Sequence, residues 1–449
     1  MRATRILTTA IFTLILFFSF FPQSSGAVES VTFDRVWQSI RVNSDKRKAS
    51  TLDTQAAVKA EERAARHWLP RVYANGRTYV TDDPAQALMG ELGQQQIGFG
   101  DLTPDALNHP GNNAFATAAL GLDFPIYEGG AGVARYAAAS RRTAAAQFSE
   151  RAEIKEIYSR SARSFGTVLV TERALADVLA VGQQIDFVLT HYRVGSKANP
   201  VGYAGLLSLK AMKNRIEAMS SELRAANQAE KEALTSLGKD LPENWSPAGG
   251  DIDTFLIKYL PAPVVNQRSE PANVRSAVLT AESAEASAQA EKAKTLPRVG
   301  FFSEGYLDAG ARAAATSYSA GAYVQWDIFS SRGTGAYDES HLSAQAASAR
   351  ADAARVESRI ALRSAISAET AIEDSVRLLR SSRKLQREQN ETSLKLFASG
   401  ALPALELVDS YSRSLDVIEA IRQTELRRLA TRETEANNGN IHLPGDQNE

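Results

Sequence analysis

The stretch LDFPIYEGGAGVARYAAASRRTAAAQ, residues 122–147, changes character halfway along its length. Its first residues alternate between apolar and polar or small side chains, which is the pattern of a strand with two different faces. Small residues then lead into a segment rich in alanine and charge, which favours helix. The stretch VQWDIFSSRGTGAYDESHLSAQAAS, residues 324–348, repeats this order. The sequence therefore predicts two bends at which a strand passes directly into a helix. The glycines at the two bends are Gly129, Gly130, Gly333 and Gly335.

The segments that follow the bends are predicted to be very long helices without proline. At ~1.5 Å per residue, a helix from Val133 to Tyr192 would span roughly 90 Å, and one from Ala336 to Ser399 roughly 96 Å. Their Leu, Ile and Val residues recur at helical spacing in a thin stripe, and alanine fills much of the remaining inner face. Small residues allow helices to approach closely, as in coiled coils. Such lengths indicate a shaft, a scaffold or a tube.

Four segments alternate with period two and are predicted to be strands. Two of them begin at a shared Leu-Pro-Arg-Val, at residues 69–72 and 296–299. In the strand before the first bend, Leu120, Leu122, Phe124 and Ile126 share one face, opposite Thr117, Ala119, Gly121 and Asp123. Before the second bend, Tyr318, Ala320, Ala322, Val324, Trp326 and Ile328 share a face, opposite Ser319, Gly321, Tyr323, Gln325 and Asp327. One face is thus apolar and the other polar or small.

The two bends belong to a repeat that covers most of the chain. The ends of the strands before the bends lie 202 residues apart, and the helix-end glycines Gly195 and Gly400 lie 205 residues apart. A shared offset of this kind is typical of internal duplication. The first hairpin differs in its long loop, from Thr81 to Asn113. The predicted organisation is a signal peptide over 1–27; a first repeat over 28–237, with strands at 69–80 and 114–127 and a turn at 193–203; a linker or equatorial segment over 238–271; a second repeat over 272–438, with strands at 297–308 and 316–329 and a turn at 398–403; and a flexible tail over 439–449.

The first 27 residues have the pattern of an export signal. Arg2 and Arg5 precede an apolar run from Ile6 to Phe21, and small residues precede Val28. The run is short for a bilayer-spanning helix, which needs roughly 20 apolar residues, although a retained anchor is the alternative. We therefore expect the mature protein to act outside the cytoplasm.

Composition argues against several classes of chemistry. The chain has 51 Lys and Arg, 52 Asp and Glu, a net charge of −1 and no cysteine. Balanced charge gives no general attraction to nucleic acid, and without cysteine there is no disulfide, thiolate metal site or thiol nucleophile. The five histidines are scattered, and HExxH and GxSxG motifs are absent from the sequence. The sequence therefore predicts no enzyme, no cofactor and no metal site.

The four predicted strands of one chain are too few to form a closed barrel. Two hairpins cannot close a barrel or cover their own edges. Oligomerisation is the simplest solution, because hairpins from several chains can close one membrane-spanning barrel that has no free edge. The long helices then continue from the barrel wall as a helical tube. The glycine bends become the places where one wall passes into the other.

In these features the chain resembles the TolC-like outer membrane factors of Gram-negative bacteria, from about Val31 to Asn438. The resemblance rests on the two bends, the duplicated order of elements, and the segments HYRVGSKANPVGYAGLL (residues 191–207) and LFASGALPALELVDSYSRSL (residues 396–415). It implies a mainly α fold with membrane β structure. Long coiled-coil helices would form an α-helical barrel, and four strands per protomer would join a shared twelve-stranded transmembrane β-barrel in a homotrimer.

The resemblance also implies a function and partners. The chain would be a passive exit duct of a tripartite efflux pump or a type I secretion system, embedded in outer membrane lipid and spanning into the periplasm. Its partners would be a periplasmic adaptor, also called a membrane fusion protein, and an inner-membrane pump or ABC transporter. Neither the cargo nor the particular adaptor follows from the sequence.

The resemblance places the periplasmic entrance and the adaptor contact at the turns that end the long helices. Glycine suits such turns because it tolerates positive φ. An ordinary helix–helix turn is the alternative interpretation. The residues expected to contact the adaptor are Arg193, Val194, Gly195, Ser196, Ser399, Gly400 and Ala401.

An acidic pair follows the second turn. Glu406 and Asp409 lie three residues apart near a helix N-terminus, where the helix dipole favours acids. In the family such a pair often rings the aperture, and three copies would favour cations. The alternative is a solvated pair that serves only the dipole. The polar lock of well-known members is replaced here by Phe397, Leu402 and Val201, for which an apolar constriction is one possibility.

Two functions remain open on the sequence alone. The first is the outer membrane channel, and the second is an exported periplasmic coiled-coil scaffold or adaptor protein. An adaptor usually has one helical hairpin, whereas this chain has two with strands at matching points. The apolar strand faces distinguish the two hypotheses, because a channel exposes these faces to lipid and a scaffold would bury them in protein. The acids of the 81–113 loop suit a cation, but their spacing favours a solvated outer loop.

Overall fold

The computed structural model describes residues 29–193, 200–263, 270–329 and 333–439. The strands are β1 (Glu29–Val31), β2 (Arg71–Thr81), β3 (Asn113–Glu128), β4 (Trp245–Pro247), β5 (Arg298–Gly310) and β6 (Ala314–Gln325). The helices are α1 (Phe33–Asn43), α2 (Asp45–Ala65), α3 (Pro84–Gly93), α4 (Pro104–Asn108), α5 (Ala131–His191), α6 (Pro200–Gly238), α7 (Ile252–Tyr259), α8 (Ala272–Ala293), α9 (Ala336–Ala398) and α10 (Ala404–Asn438), with a 3₁₀ turn at Phe99–Leu102.

Two helices dominate the molecule. Helices α5 and α9 contain 61 and 63 residues, which corresponds to about 92 and 95 Å at ~1.5 Å per residue. Helices α2 and α6 pack on α5, and α8 and α10 pack on α9. Helices α8 and α10 also contact α5, so the two halves lie side by side. The mainly α fold with an internal repeat is therefore confirmed. Within the described residues, no helix combines the length and the apolar character needed to cross a membrane.

The long strands form one antiparallel sheet in the order β2-β3-β5-β6. The prediction of a fourth strand reaching residue 329 is wrong at its end. Strand β6 stops at Gln325, which pairs with Arg298, the first residue of β5. The ladder ends at that pair, and Trp326 and Ile328 lie outside it. The Trp326 indole instead donates a hydrogen bond to the Thr295 carbonyl at 3.1 Å.

The segment between the repeats has structure of its own. Within it, β4 pairs in parallel with β1, and α7 contributes buried side chains to a core shared by α1, α5 and α10. The Phe165 ring of α5 stacks on Trp245 and Phe255 at centroid distances of 5.8 and 5.5 Å. This equatorial core joins the start, the middle and the end of the chain.

The segments on either side of β2 contain helices with local causes. The helical segment before β2 is split at Ser44, whose extended backbone ends α1 and whose hydroxyl accepts a hydrogen bond from the Arg47 amide at 3.3 Å. The 81–113 loop contains helices α3 and α4. Asp83 caps α3 through the Gln86 amide at 2.8 Å, and a proline occupies the first helical position, where its missing N–H costs nothing.

Candidate functional site

The first candidate surface is the sheet face that contains Leu122. Side chains of directly paired residues in an antiparallel sheet lie on the same face. Leu122 pairs with Val72 and Ser303, and Ser303 pairs with Ala320. In the paired stretches of the four described strands, this face carries no charged side chain. Its residues are Val72, Ala74, Gly76, Thr78, Val80, Ala114, Ala116, Ala118, Leu120, Leu122, Phe124, Tyr127, Val299, Phe301, Ser303, Gly305, Leu307, Ala309, Ala314, Thr316, Tyr318, Ala320, Ala322 and Val324.

This uncharged face is open in the protomer. Leu120, Tyr318 and Val324 are 64, 85 and 72% exposed. A water-exposed apolar surface of this extent marks an interaction site with protein or lipid. The period-two pattern predicted for the strands before the bends is present within β3 and β6. The prediction that Ile126 shares the Leu122 face is wrong, because a bulge between Pro125 and Tyr127 skips Ile126 and pairs Tyr127 with Val299.

The opposite sheet face carries the charges of the ladder. Tyr73 and Tyr306 both donate hydrogen bonds to the Glu304 carboxylate. The Tyr323 hydroxyl donates to Asp123 Oδ1 at 2.8 Å. The Tyr73 bond joins β2 to β5 and the Tyr323 bond joins β6 to β3, whereas Tyr306 and Glu304 both belong to β5. The charged residues of this face are Arg71, Arg77, Asp123, Glu128, Arg298, Glu304 and Asp308.

Two glycines make room for tyrosine rings on the charged face. A Cβ added to Gly121 would lie 2.3 Å from the Tyr73 ring, and a Cβ added to Gly300 would lie 2.6 Å from the Tyr323 ring. Each hairpin therefore has one tyrosine lying across a glycine of the neighbouring strand. The rings cover strand backbone that would otherwise be left bare.

The sheet has two free edges. Within the described residues, β2 and β6 each pair on one side only. They are 11 and 12 residues long, so each leaves a row of backbone groups available to a further strand. Exposed edges of this length promote strand pairing with another chain unless they are covered.

The bend glycines lie between the sheet strands and the long helices. Gly129 and Gly130 follow β3 with φ angles of +66° and +87°, and a Cβ on Gly129 would lie 2.4 Å from the Ala293 carbonyl oxygen. Gly335 caps α9 with φ of +83°, and the Gly333 carbonyl accepts a hydrogen bond from the Ala336 amide at 3.2 Å. Positive φ favours glycine, because a side chain would collide with the backbone. Strand β3 thus passes into α5 across two residues, whereas ten residues separate the end of β6 from the start of α9, and residues 330–332 of that connection lie outside the described residues.

The turn at the far end of α9 is held by its own backbone. Gly400 has φ of +76°, and the amides of Ala401 and Leu402 donate to the Leu396 carbonyl at 2.9 and 3.2 Å. This is the glycine-ended helix closure expected of a tight turn. Ser399, Gly400 and Ala401 are exposed at its tip. At the other tip Arg193 is exposed, whereas Val194, Gly195 and Ser196 lie outside the described residues.

A residue that the sequence did not single out, Tyr192, joins the two tips. Its ring stacks on Phe397 with a centroid distance of 6.0 Å, and its hydroxyl donates to the Gly202 carbonyl at 2.9 Å. Phe397 and Leu402 are half-buried and pack against the apolar core of α5, α6 and α10. Within the protomer, Phe397 and Leu402 therefore pack beneath the tips. Val201, by contrast, is 64% exposed to solvent.

The acidic pair is the accessible part of the second tip. Glu406 and Asp409 are both exposed. Asp409 forms an ion pair with Arg413 at 2.6 Å, one helical turn further on. Glu406 has no ion-pair partner among the described residues. In the same described ranges, no cluster of three or more His, Asp or Glu side chains is arranged to hold a metal ion.

The fold matches solved structures, although the sequence matches little. No protein-family model matches the chain, and no curated protein is significantly similar to it. The CmeC outer membrane channel of Campylobacter jejuni has a TM-score of 0.75 with 12% identity, over 91% of this chain and 85% of that chain. The outer membrane protein VceC of Vibrio cholerae has a TM-score of 0.70 with 14% identity, over 90% and 96%. The open-state MtrE outer membrane channel of Neisseria gonorrhoeae has a TM-score of 0.69 with 14% identity, over 90% and 89%. This chain therefore has the fold of these proteins along nearly its whole length.

Proposed function

We propose that this chain is a homotrimeric outer membrane channel, the passive exit duct of a tripartite efflux pump or a type I secretion system. The observation that carries the proposal is the four-stranded sheet with an exposed uncharged face, a charged opposite face and two free edges. Lipid suits the first face, and a water-filled lumen suits the second. Membrane-spanning strands must also close on one another, because an unpaired backbone group in hydrocarbon costs several kcal/mol.

The long helices support closure by further copies of the chain. Helix α5 is surrounded by α2, α6, α8 and α10. Among the described residues α9 packs mainly on α8 and α10, and one stripe of its surface exposes apolar residues that are each more than 60% accessible. These residues are Leu342, Ile360, Leu378 and Leu385. Because α9 and β6 are consecutive in the chain, one neighbouring protomer can cover this stripe of the helix and pair with the free strand.

Three copies give the shared barrel twelve strands and join the helices into one tube. The charged sheet face then lines the lumen. The alternative, a periplasmic scaffold, would need protein to cover the uncharged face. No described element of the chain does so. The duct needs no catalytic chemistry, so we propose no enzymatic activity and no cofactor.

The helix tips are proposed to be the periplasmic entrance. The exposed turn at Ser399–Ala401 and the exposed Arg193 would contact a periplasmic adaptor, which in turn would couple the duct to an inner-membrane pump or ABC transporter. Glu406 and Asp409 would ring the aperture in three copies and favour cations. Phe397 and Leu402 would hold the tips in position by packing beneath them.

Membrane fractionation of a Leu122→Arg variant tests the proposal. An arginine on the lipid face near the bilayer midplane costs roughly 2–4 kcal/mol per protomer. We expect the wild-type chain in the outer membrane fraction as a cross-linkable trimer, and the variant to lose both properties. The matched control is Ser317→Arg, which places the same charge on the lumen face and should assemble normally. A soluble wild-type chain, or normal assembly of Leu122→Arg, would contradict the proposal.

A further inference from the structure

The loop of the first hairpin folds over the charged face of the sheet. Helix α3 lies against this face at the end of the sheet opposite the long helices. The Phe115 ring is 5% exposed, and a Cβ added to Gly90 of α3 would lie 2.6 Å from it. Phe115 also contacts Tyr79 at 5.5 Å between ring centroids. Because Phe115 and Tyr79 are a directly paired couple on the charged face, the helix lies on the lumen side.

A buried glutamine fixes the end of α3 to the second hairpin. Gln94 is 2% exposed, and its Oε1 accepts hydrogen bonds from the amides of Arg312 and Ala313, both at 3.1 Å. Its Nε2 donates to the Gly90 carbonyl at 3.1 Å. Buried polar groups stay stable only when they are satisfied, so these bonds specify one docked position. Gly310 permits the approach, because a Cβ there would lie 2.5 Å from the Gln94 amide nitrogen.

An arginine clamps the rest of the loop. The Arg312 guanidinium donates to both oxygens of Asp101, at 2.7 and 2.8 Å, and to Glu91 at 3.1 Å. It also donates to the Gln96 carbonyl at 3.3 Å. Two-pronged arginine–carboxylate pairs are among the stronger and more directional hydrogen-bonded contacts. Two of the loop acids considered for cations in the sequence are therefore occupied by the turn of the second hairpin.

We propose that residues 84–110 form a docked cap that narrows the outer mouth of the channel and restricts bulky solutes. This inference rests on the proposed function, because it needs the charged face to line a lumen. Helix α3 has ten residues, a length of about 15 Å, and three copies would project it into one mouth. Arg312 is the positioning residue that holds each cap down.

The test uses a single reporter cysteine in a chain that has none of its own. Ser319→Cys places the reporter on the lumen face, about 20 Å inward from the outer turn at ~3.3 Å per residue. Whole cells are labelled from outside with a small membrane-impermeant maleimide and, separately, with a maleimide on a long polyethylene glycol. The backgrounds are wild type, Arg312→Gln, and replacement of residues 84–110 by a short Gly-Ser linker.

With the cap docked, the polymer reagent should label the reporter cysteine at position 319 much more slowly than the small reagent does. Cap replacement should raise the polymer rate at least about tenfold while changing the small-reagent rate little, and Arg312→Gln should raise it by a smaller factor. Arg71→Gln is the matched control, because it removes an arginine from the same face at the other end of β2. A second reporter, Asn108→Cys, lies on the exposed part of the cap and should label equally in the wild-type and Arg312→Gln backgrounds.

The outcomes separate this inference from the proposed function. Each sample is first fractionated, and absence from the outer membrane would remove the proposed function and the cap with it. An outer membrane chain whose polymer rate is unchanged by cap replacement would overturn the cap alone. An effect of cap replacement without any effect of Arg312→Gln would keep the constriction and remove Arg312 as its clamp.

Discussion

The two hairpins of the sheet agree along their strands and differ at their outer ends. Both have an uncharged face and a charged face, and both place a tyrosine across a glycine of the neighbouring strand. At the outer end, β5 and β6 are joined by residues 311–313 alone, whereas β2 and β3 are joined by 82–112, with two helices. The first loop docks on the second turn through Gln94 and Arg312.

The difference shows which parts of the sheet are under the same physical constraint in both hairpins. Strand faces that meet lipid and water must alternate, and both copies in the repeat obey this rule. The outer connections are not held to this alternation, and added loop length costs little free energy, so they are free to diverge. In this chain the 82–112 loop forms a folded unit, and the short turn at residues 311–313 is the site on which it docks.

The largest expected effect tests the equivalence of the hairpins in lipid. Ala320→Arg in the second hairpin lies on the same face as Leu122, one strand beyond Ser303. We expect it to cost the same roughly 2–4 kcal/mol per protomer as Leu122→Arg and to abolish trimer recovery from the outer membrane. Trimer yield by cross-linking measures the effect. A variant that assembles as well as wild type would show that only the first hairpin faces lipid.

A smaller effect tests the tyrosine–glycine contacts that the hairpins share. Gly121→Ala and Gly300→Ala should each lower stability by about 1–3 kcal/mol, because the added methyl pushes a tyrosine ring off its carboxylate partner. The midpoint of heat-induced trimer dissociation measures this change. Gly76→Ala and Gly305→Ala are matched controls in the same two hairpins, since nothing lies within 4 Å of a Cβ at either position. Equal midpoints for all four variants would contradict the packing.

The smallest effect concerns acid and distinguishes the capped hairpin from the plain one. The Arg312 guanidinium, followed by the Gly98 amide, lowers the pKa of Asp101 from 3.8 to about 2. A lowered pKa stabilises docking above the unfolded value and loses that contribution as the pH falls through the folded value. Exchange protection of the Arg312 and Ala313 amides should therefore hold down to about pH 4 and fall towards pH 2.

The Arg312→Gln variant serves as the control for that measurement. Without the guanidinium, amide protection should be lower at neutral pH and should change less between pH 4 and pH 2. If wild type and variant lose protection in parallel as the pH falls, a group other than Asp101 governs the acid response of the cap.

The bends, strands and long helices could be predicted because their signals are local. Period two in β3, the adjacent Gly129 and Gly130, and the absence of proline from α5 each lie within one segment of sequence. The cap could not be predicted in the same way. Asp83-Pro84 and Thr103-Pro104 are helix-start signals, but the contact between Arg312 and Asp101 spans 211 residues.

The candidate site at the helix tips shows the same limit. The exposed acids and the Gly400 turn follow from nearby sequence, because a positive φ and a first-turn carboxylate have local causes. The burial of Phe397 depends on Tyr192, which belongs to the other repeat. A sequence pattern identifies an apolar residue near a turn, but only the packed structure shows whether it faces an opening or a neighbouring ring.

The short parallel ladder between β1 and β4 has a consequence for how the molecule is made. Glu29 pairs with Trp245, and the Ala248 amide donates to the Val31 carbonyl at 2.7 Å. The same core takes in Leu429 and Ala436. Closing contacts of such long sequence separation is slow. The equatorial core can form only after nearly the whole chain has been synthesised and delivered. Until then, the apolar residues of this core are exposed in the newly made chain.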